Sequence, residues 1–211
     1  KLYFNDIENL FFMQINLFNY HEHSIIISRT GYTGEDGFEL SIPNLIVEKF
    51  MNELLNNKDA MLCGLGSRDT LRLEAGLSLY GNELDENITP IEADLSWAIS
   101  KSRLQNKNFN GCKRIIEQMN NKNLFKRAGI KAKNKFILRS KMELYNDKNE
   151  KIGKITSGGF SPSLNCSIGI AYIDKNFYNS PSKIFCYIRN NLEQVELNNL
   201  PFIKHNYRRK I

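Results

Sequence analysis

The hydrophobic pattern of the chain changes near residue 120, and this change limits the fold more than any other feature. After it, apolar residues alternate with polar ones in short runs that turns separate, which is the pattern of β-strands. The runs cover residues 136–138, 168–173 and 184–188, among others. Several short strands at this spacing predict a small antiparallel β-barrel or sandwich over residues 124–211.

The first part of the chain predicts a layer of strands and helices. Residues 25–27 are β-branched and residues 38–42 alternate between apolar and polar, so both segments are predicted strands. A helix is predicted next, with Asn44 as its N-cap and an apolar residue at every fourth position from Ile46 to Leu54. This order of elements predicts an α+β layer.

These patterns predict an α+β fold of two domains. The first domain covers residues 1–120, and the second, the barrel, covers residues 124–211. The asparagine-rich residues 120–123 are the predicted linker. Four cysteines show neither Cys-x-x-Cys spacing nor a paired histidine, which favours reduced thiols of an intracellular protein and gives no metal site.

A glycine-rich loop separates the two predicted strands and reads Arg29-Thr-Gly-Tyr-Thr-Gly-Glu-Asp-Gly-Phe-Glu39. Glycine at every third position permits positive φ angles or a close approach of the backbone to another group. Glu39 is a carboxylate inside the second strand, on the face opposite Phe38 and Leu40. Either this face is solvated, or Glu39 lines a polar cavity in which a donor matches it.

A second stretch, residues 64–76, predicts a helix with Ser67 as its N-cap and Gly76 just past its end. Arg68 falls in the first turn, where the helix dipole disfavours a cation. Arg68 is therefore either an exposed residue paired with Asp69 or a guanidinium aimed at an acceptor in the cavity that Glu39 lines.

Two further helices are predicted before the barrel. Thr89 and Glu92 have the spacing of a capping box, with Pro90 at the first helical position. The helix after this box carries Trp97, the only tryptophan, which we assign to the core. A basic amphipathic helix is predicted from about residue 109 to residue 119.

Charge is unevenly distributed along the chain. Residues 1–100 hold 6 Lys/Arg and 16 Asp/Glu, whereas residues 101–211 hold 23 Lys/Arg and 7 Asp/Glu. Such a basic half predicts an acidic partner, either nucleic acid or an acidic protein. No zinc finger, RNA-binding motif or arginine-rich tract favours nucleic acid.

Five segments together resemble one family, the glycine cleavage system T proteins, which are folate-dependent aminomethyltransferases. The first segment is the glycine-rich loop. The other four read Arg68-Asp-Thr-Leu-Arg-Leu-Glu-Ala-Gly-Leu-Ser-Leu-Tyr-Gly-Asn82, Thr89-Pro-Ile-Glu-Ala-Asp-Leu-Ser-Trp97, Thr156-Ser-Gly-Gly-Phe-Ser-Pro-Ser-Leu164 and Pro201-Phe-Ile-Lys-His-Asn-Tyr207. The resemblance covers nearly the whole chain, with the segments in the family's order.

The resemblance implies a three-domain cloverleaf with tetrahydrofolate as cosubstrate in a central opening, and no metal. The implied folate contacts are Glu39, Arg68, Tyr207 and Tyr32. A carboxylate can accept two parallel hydrogen bonds from the adjacent N–H and NH₂ of a pterin. A guanidinium suits the carbonyl and carboxylate acceptors of folate, and a tyrosine offers a ring face and a hydroxyl. In the light of the family, a buried Glu39 is the favoured alternative.

The resemblance also implies a reaction and a partner. The aminomethyl group carried on the lipoyl arm of the H protein gives its methylene to tetrahydrofolate, and ammonia is released. H proteins tend to be acidic, so the expected partners are H protein and folate, with no nucleic acid and no membrane. The expected location is the bacterial cytoplasm or the mitochondrial matrix.

The family's catalytic aspartate lies in its amino-terminal half, which we expect this chain to lack. We therefore assign no catalytic residue here. The alternative is a catalytically silent folate-family binding module, a gene remnant, or a domain of a related folate-dependent demethylating enzyme.

Overall fold

The computed structural model describes residues 3–120, 125–178 and 183–210. The chain forms two compact units, one of Lys1–Arg72 with Lys204–Ile211 and the other of Leu73–Ile203. The predicted domains, residues 1–120 and residues 124–211, divide the chain differently, and Leu124 lies outside the described residues. That division concerns independent folding and stays a prediction.

The first unit packs a three-stranded antiparallel sheet against a helix. The strands, in sheet order, are β1 (Ile15–Tyr20), β2 (His23–Ser28) and β3 (Glu39–Ser41), and the helix is α1 (Asn44–Leu55). Ile25 and Ile27 of β2 are fully buried against Ile46 and Phe50, so the predicted apolar stripe of the helix is confirmed. The predicted N-cap is wrong, because Pro43 occupies the cap position and Asn44 is already helical.

The second helix, α2 (Leu65–Glu74), begins two residues before its predicted cap. Ser67 lies inside the helix, and its backbone N–H donates to the carbonyl of Gly64 at 3.1 Å. Gly76 has a φ of 65°, which confirms its predicted place just past the helix end. A Cβ at Gly76 would also lie 3.1 Å from Cα of Pro201.

The predicted capping box forms, but a helix does not follow it. The Thr89 N–H donates to Glu92 Oε2 at 3.0 Å, and the Glu92 N–H donates back to Thr89 Oγ1 at 3.4 Å. Only turns and a 3₁₀ helix, Ser96–Ala98, come next. The core assignment of Trp97 is wrong, since its side chain is 79% exposed and a single 3₁₀ turn offers no face that buries it.

Two short helices precede the barrel, α3 (Lys101–Asn106) and α4 (Cys112–Asn120). α4 is the predicted basic amphipathic helix, and its Ile115 is buried. The rest of the predicted linker, residues 121–123, lies outside the described residues.

Six strands of the second unit form a closed antiparallel barrel in the order β4-β7-β6-β5-β8-β9. The strands are β4 (Phe125–Ala132), β5 (Glu143–Tyr145), β6 (Lys151–Ser161), β7 (Cys166–Asp174), β8 (Ile184–Ile188) and β9 (Asn191–Asn198), with a short helix α5 (Lys175–Tyr178) after β7. The α+β fold class with a small antiparallel barrel is confirmed. Residues predicted from the alternation, such as Leu138, Ile155 and Ile173, are fully buried inside it.

Two glycines of β6 allow the barrel wall to pack closely. A Cβ at Gly153 would lie 2.4 Å from the carbonyl oxygen of Tyr172, and one at Gly158 would lie 2.7 Å from the carbonyl of Leu138. Both neighbours are backbone atoms, so neither position has room for a side chain.

Buried carboxylates attach the last residue of α2 and the segment after it to the barrel. Glu74, 3% exposed, accepts hydrogen bonds from the hydroxyls of Ser161 and Ser163. Glu83 is fully buried and accepts from the Thr156 hydroxyl and from the Leu79 N–H, the latter at 2.9 Å. Carboxylates so satisfied stabilise the fold only while their donors remain in place.

A half-buried guanidinium attaches the segment after α2 at a third point. Arg127 Nη1 donates to the Gly76 carbonyl at 3.0 Å and to Ser78 Oγ at 2.7 Å. Burial lowers the pKa of the Arg127 guanidinium, and the nearby Tyr172, Asp94 and Glu83 act in the opposite direction.

We expect Glu83→Ala to destabilise the chain by about 1–3 kcal/mol, because the Leu79 N–H loses its acceptor in a buried site. Urea denaturation followed by far-ultraviolet circular dichroism measures the change in the free energy of unfolding. Glu86→Ala is the control, because Glu86 is exposed. Equal stability of the two variants would contradict the assigned role of Glu83.

We also expect a fragment of residues 124–211 to unfold cooperatively, since the barrel encloses its own core. The fragment should melt at a lower temperature than residues 73–211, because Leu73 covers Ile168 and Ile170 in the longer fragment. Calorimetry of both fragments tests this. A non-cooperative melt of the short fragment would place the domain boundary elsewhere.

Candidate functional site

The glycine-rich loop is held from inside by a buried arginine. Arg29 is 6% exposed, and its Nε donates to Asp36 Oδ1 at 2.9 Å while its Nη2 contacts Asp36 Oδ2. Its Nη1 donates to the Leu10 carbonyl at 2.8 Å, and the guanidinium lies over the Phe38 ring at 4.8 Å. The loop between β2 and β3 therefore has a fixed shape rather than that of a free hairpin.

This ion pair shifts both of its groups toward their charged forms. The hydrogen bond from Arg29, against the effect of burial, holds the pKa of the Asp36 carboxyl below its usual range. The same hydrogen bond raises the pKa of Arg29. The backbone N–H of Arg208 adds a longer hydrogen bond to Asp36 Oδ1, at 3.4 Å.

Glu39 is exposed, so the favoured expectation of a buried carboxylate is wrong for this chain. The Thr30 hydroxyl donates to its Oε2, and Thr30 Oγ1 lies 2.8 Å from Ser28 Oγ. The strand register pairs Glu39 with Ser28 and Ser28 with Ile15. Glu39 thus lies on a sheet face that carries polar groups at one end.

The same face of the sheet carries exposed apolar side chains. Leu17 is directly opposite Ile26 in the register, and these residues are 64% and 42% exposed. Ile15, in the row of Glu39, is 66% exposed. A carboxylate beside an accessible apolar surface can receive a ligand that has a ring and a donor edge.

Arg68 lies near the start of α2, exposed, with its guanidinium 5.0 Å from the centre of the Tyr32 ring. Asp69 does not pair with Arg68. Its Oδ1 accepts from Nη2 of Arg72 at 2.7 Å instead, and Arg72 is buried. Stacking on an aromatic face positions a guanidinium and leaves its N–H edge available to an acceptor.

Tyr207 stacks on Phe12, with ring centres 4.0 Å apart and planes within 4° of parallel. The Arg209 guanidinium lies 5.3 Å from Phe12 and 5.9 Å from Tyr207. Burial raises the pKa of the Tyr207 hydroxyl, so this group is protonated at neutral pH and can donate a hydrogen bond.

The structure brings the segment of Tyr207 to the glycine-rich loop. The Asn206 N–H donates to the Gly34 carbonyl at 2.8 Å, and Asn206 forms an isolated bridge with Glu35. All four predicted folate contacts therefore lie in one compact unit, and Tyr32 and Arg68 are in direct contact. Their assignment to folate stays a prediction.

Sequence reasoning missed the residues that support this site. Arg29 and Asp36 are oppositely charged residues of the same short loop, and this pairing could have been predicted from the sequence. Phe12 gave none, because nothing in the sequence relates it to Tyr207.

The arrangement offers a carboxylate, a guanidinium and a phenol to a ligand. Across the described ranges, no three His, Cys, Asp or Glu side chains come together as a metal site. None of the helices in that part of the chain has the length and apolar character that crossing a membrane requires.

Comparisons with known proteins agree along the chain. The family model of the GCVT N-terminal domain matches residues 4–103. The family model of the glycine cleavage T-protein C-terminal barrel domain matches residues 126–204. The mitochondrial aminomethyltransferase of Saccharomyces cerevisiae is 43% identical over 211 residues, which cover 96% of this chain and 53% of that protein. The human mitochondrial aminomethyltransferase is 35% identical over 181 residues, which cover 86% of this chain and 45% of that protein.

A solved structure has a similar fold. The crystal structure of the glycine cleavage system aminomethyltransferase T from Bartonella henselae matches with a TM-score of 0.87 and 33% identity. The match covers 96% of this chain and 55% of that chain. The chain thus spans about half the length of the relatives that it matches.

We expect Asp36→Asn to destabilise the first unit in a pH-dependent way. The folded-state pKa of Asp36 is lowered, so its contribution is complete above the unfolded value of about 3.9 and is lost as the pH falls below it. The stabilities of the wild type and the variant should therefore differ at pH 7, and the difference should shrink progressively as the pH falls below about 3.9. Glu48→Gln, on the exposed face of α1, is the control. A difference that does not depend on pH would contradict the ion pair.

Proposed function

The chain belongs to the glycine cleavage T-protein family, and we propose on this basis that it works in a folate-dependent aminomethyltransferase. The reaction transfers the methylene of the aminomethyl group on the H-protein lipoyl arm to tetrahydrofolate, with release of ammonia. The observation that supports this proposal is that the four predicted folate contacts, Glu39, Arg68, Tyr32 and Tyr207, belong to one compact unit. The mitochondrial aminomethyltransferases of yeast and human support it.

In this proposal the chain binds and orients the cosubstrate. Glu39 accepts from the adjacent N–H and NH₂ of the pterin, and Thr30 orients the carboxylate by donating to its other side. Arg68, held on the Tyr32 ring, donates to a carbonyl or carboxylate of folate. The Tyr207 hydroxyl donates from the ring that Phe12 fixes.

No residue of the chain is proposed as the catalytic acid or base. The proposed cosubstrate is tetrahydrofolate and the proposed partner is the lipoylated H protein. The proposed location is the mitochondrial matrix for a eukaryotic chain, by analogy with the relatives named mitochondrial, and the cytoplasm for a bacterial one.

We expect Glu39→Gln to weaken tetrahydrofolate binding by one to two orders of magnitude. The glutamine NH₂ would face the donor edge of the pterin, and unpaired groups of this kind cost about 1–3 kcal/mol. Isothermal titration of the chain with tetrahydrofolate measures the affinity, and Glu48→Gln is the matched control on an exposed helix face. Equal affinities of wild type and Glu39→Gln would remove Glu39 from the folate site.

The assay of methylene-tetrahydrofolate formation from aminomethyl-loaded H protein separates an enzyme from a silent binding module when the chain is combined with the amino-terminal half of a T-protein relative, because that half supplies the expected catalytic aspartate. Turnover supports the transferase. Tight folate binding without turnover supports the module.

A further inference from the structure

A cavity of about 590 Å³ lies in the second unit, among the segments that precede the barrel. Its wall is formed by residues 88–90 at the capping box, by residues of 98–103 at the start of α3, and by residues of 109–115 at the start of α4. Pockets that hold small-molecule ligands have volumes in this range. The cavity is therefore large enough for a small organic molecule.

Among the described residues, the charged side chains that line the cavity are two arginines, Arg103 and Arg114. Nη2 of Arg114 donates to the Asn87 carbonyl at 2.7 Å and lies 3.6 Å from Glu92 Oε2. These contacts position the Arg114 guanidinium and leave its Nε and Nη1 without a partner in the described part of the chain. The guanidinium of Arg103 has no partner there at all. Both side chains can therefore donate to a ligand.

The chain around the cavity provides little negative charge to balance these arginines. Residues 95–116 hold five Lys/Arg and no Asp/Glu. Glu92 contacts Arg114 from outside the lining, and it also accepts a hydrogen bond from the Thr89 N–H at 3.0 Å. One carboxylate shared in this way does not neutralise two guanidiniums. The excess of positive charge predicts an anionic ligand.

Much of the remaining wall is apolar. Ile115 is buried and Phe109 is half-buried, so both side chains are held by the protein itself. An apolar wall with a few polar groups directed at one ligand is typical of small-molecule sites, and a phenylalanine offers its ring face to a flat group. The apolar residues of the lining are Ile88, Pro90, Ala98, Ile99, Phe109 and Ile115.

We propose that this cavity binds a small phosphate monoester that carries an aromatic ring, with its phosphate on Arg103 and Arg114 and its ring against Phe109. A phosphate monoester has a charge of about −1.5 to −2 at pH 7 and three acceptor oxygens, which match two guanidiniums. A carboxylate would bring a single charge and leave one arginine uncompensated. The inference goes beyond the proposed function and does not depend on it, because none of the four predicted folate contacts lines the cavity.

Isothermal titration of the full chain with adenosine monophosphate (AMP), adenosine and ribose 5-phosphate tests the two parts of the site separately. AMP should bind at least tenfold more tightly than the other two compounds, because it alone has both the phosphate and the ring. Arg103→Gln should weaken AMP binding at least tenfold and keep the wild-type melting temperature within a few degrees, since the Arg103 guanidinium has no partner among the described residues. Lys101→Gln is the matched control, because it removes an exposed cation of the same helix outside the lining. This variant should bind AMP like the wild type.

The aromatic side of the site has its own signature. Phe109→Leu keeps an apolar side chain and removes the ring, so AMP should bind to this variant severalfold more weakly than to the wild type. The affinity for ribose 5-phosphate, which has no aromatic ring, should not change. Equal loss of affinity for both compounds would mean that Phe109 supports the fold of the site and does not contact a ring.

The outcomes separate this site from the proposed folate site. Tetrahydrofolate should not compete with AMP, and Glu39→Gln should bind AMP like the wild type. A wild-type chain that shows no saturable AMP binding up to about 1 mM, or an Arg103→Gln variant that binds AMP normally, overturns the phosphate site and leaves the proposed function in place. Competition by tetrahydrofolate also overturns it, because AMP would then occupy the folate site. Tighter binding of a single-stranded oligonucleotide than of AMP overturns it in favour of a nucleic-acid surface.

Discussion

Charged groups removed from water set the shape of both units. In the first, the Arg29 guanidinium reaches the Asp36 carboxylate and the Leu10 carbonyl, and thereby fixes the loop between two strands. A buried cation is costly unless every donor is matched, so the loop has few alternatives to its observed course. Two groups of the candidate site, the exposed Glu39 and the half-buried Tyr32, depend on this support because they belong to the same loop and strand.

In the second unit the buried charged groups are carboxylates instead of a guanidinium. Glu74 and Glu83 are buried, and they accept hydrogen bonds from hydroxyls of the barrel and from a backbone N–H group of the segment after α2. The core of the barrel is instead aliphatic, and the six strands around it pair in a closed ring. The segment after α2 is therefore attached by polar contacts to a barrel whose own core is apolar.

The barrel and the first helix were predictable because each has a core of its own. Alternation at Ala171 and Ile173 and the four-residue repeat at Ile46 and Phe50 indicate burial against the core of the same unit. Trp97 was not predictable in this way, because its burial depends on whether a helix forms after Thr89, and capping residues alone do not provide a face to pack. The helix starts were misplaced for a similar reason, since backbone carbonyls or a proline can replace the expected side-chain cap.

The close approach of strands at Gly153 and Gly158 has a consequence for genetic variation. At each position the nearest atom to an added Cβ is a backbone carbonyl of another segment, so no rotamer change relieves the clash. Substitutions there should behave as loss-of-function alleles although neither glycine is among the predicted folate contacts. Inherited variants at these two sites in related genes would then lower the amount of folded protein in the cell. The deficiency would be one of protein abundance and not of any step in the protein's chemistry.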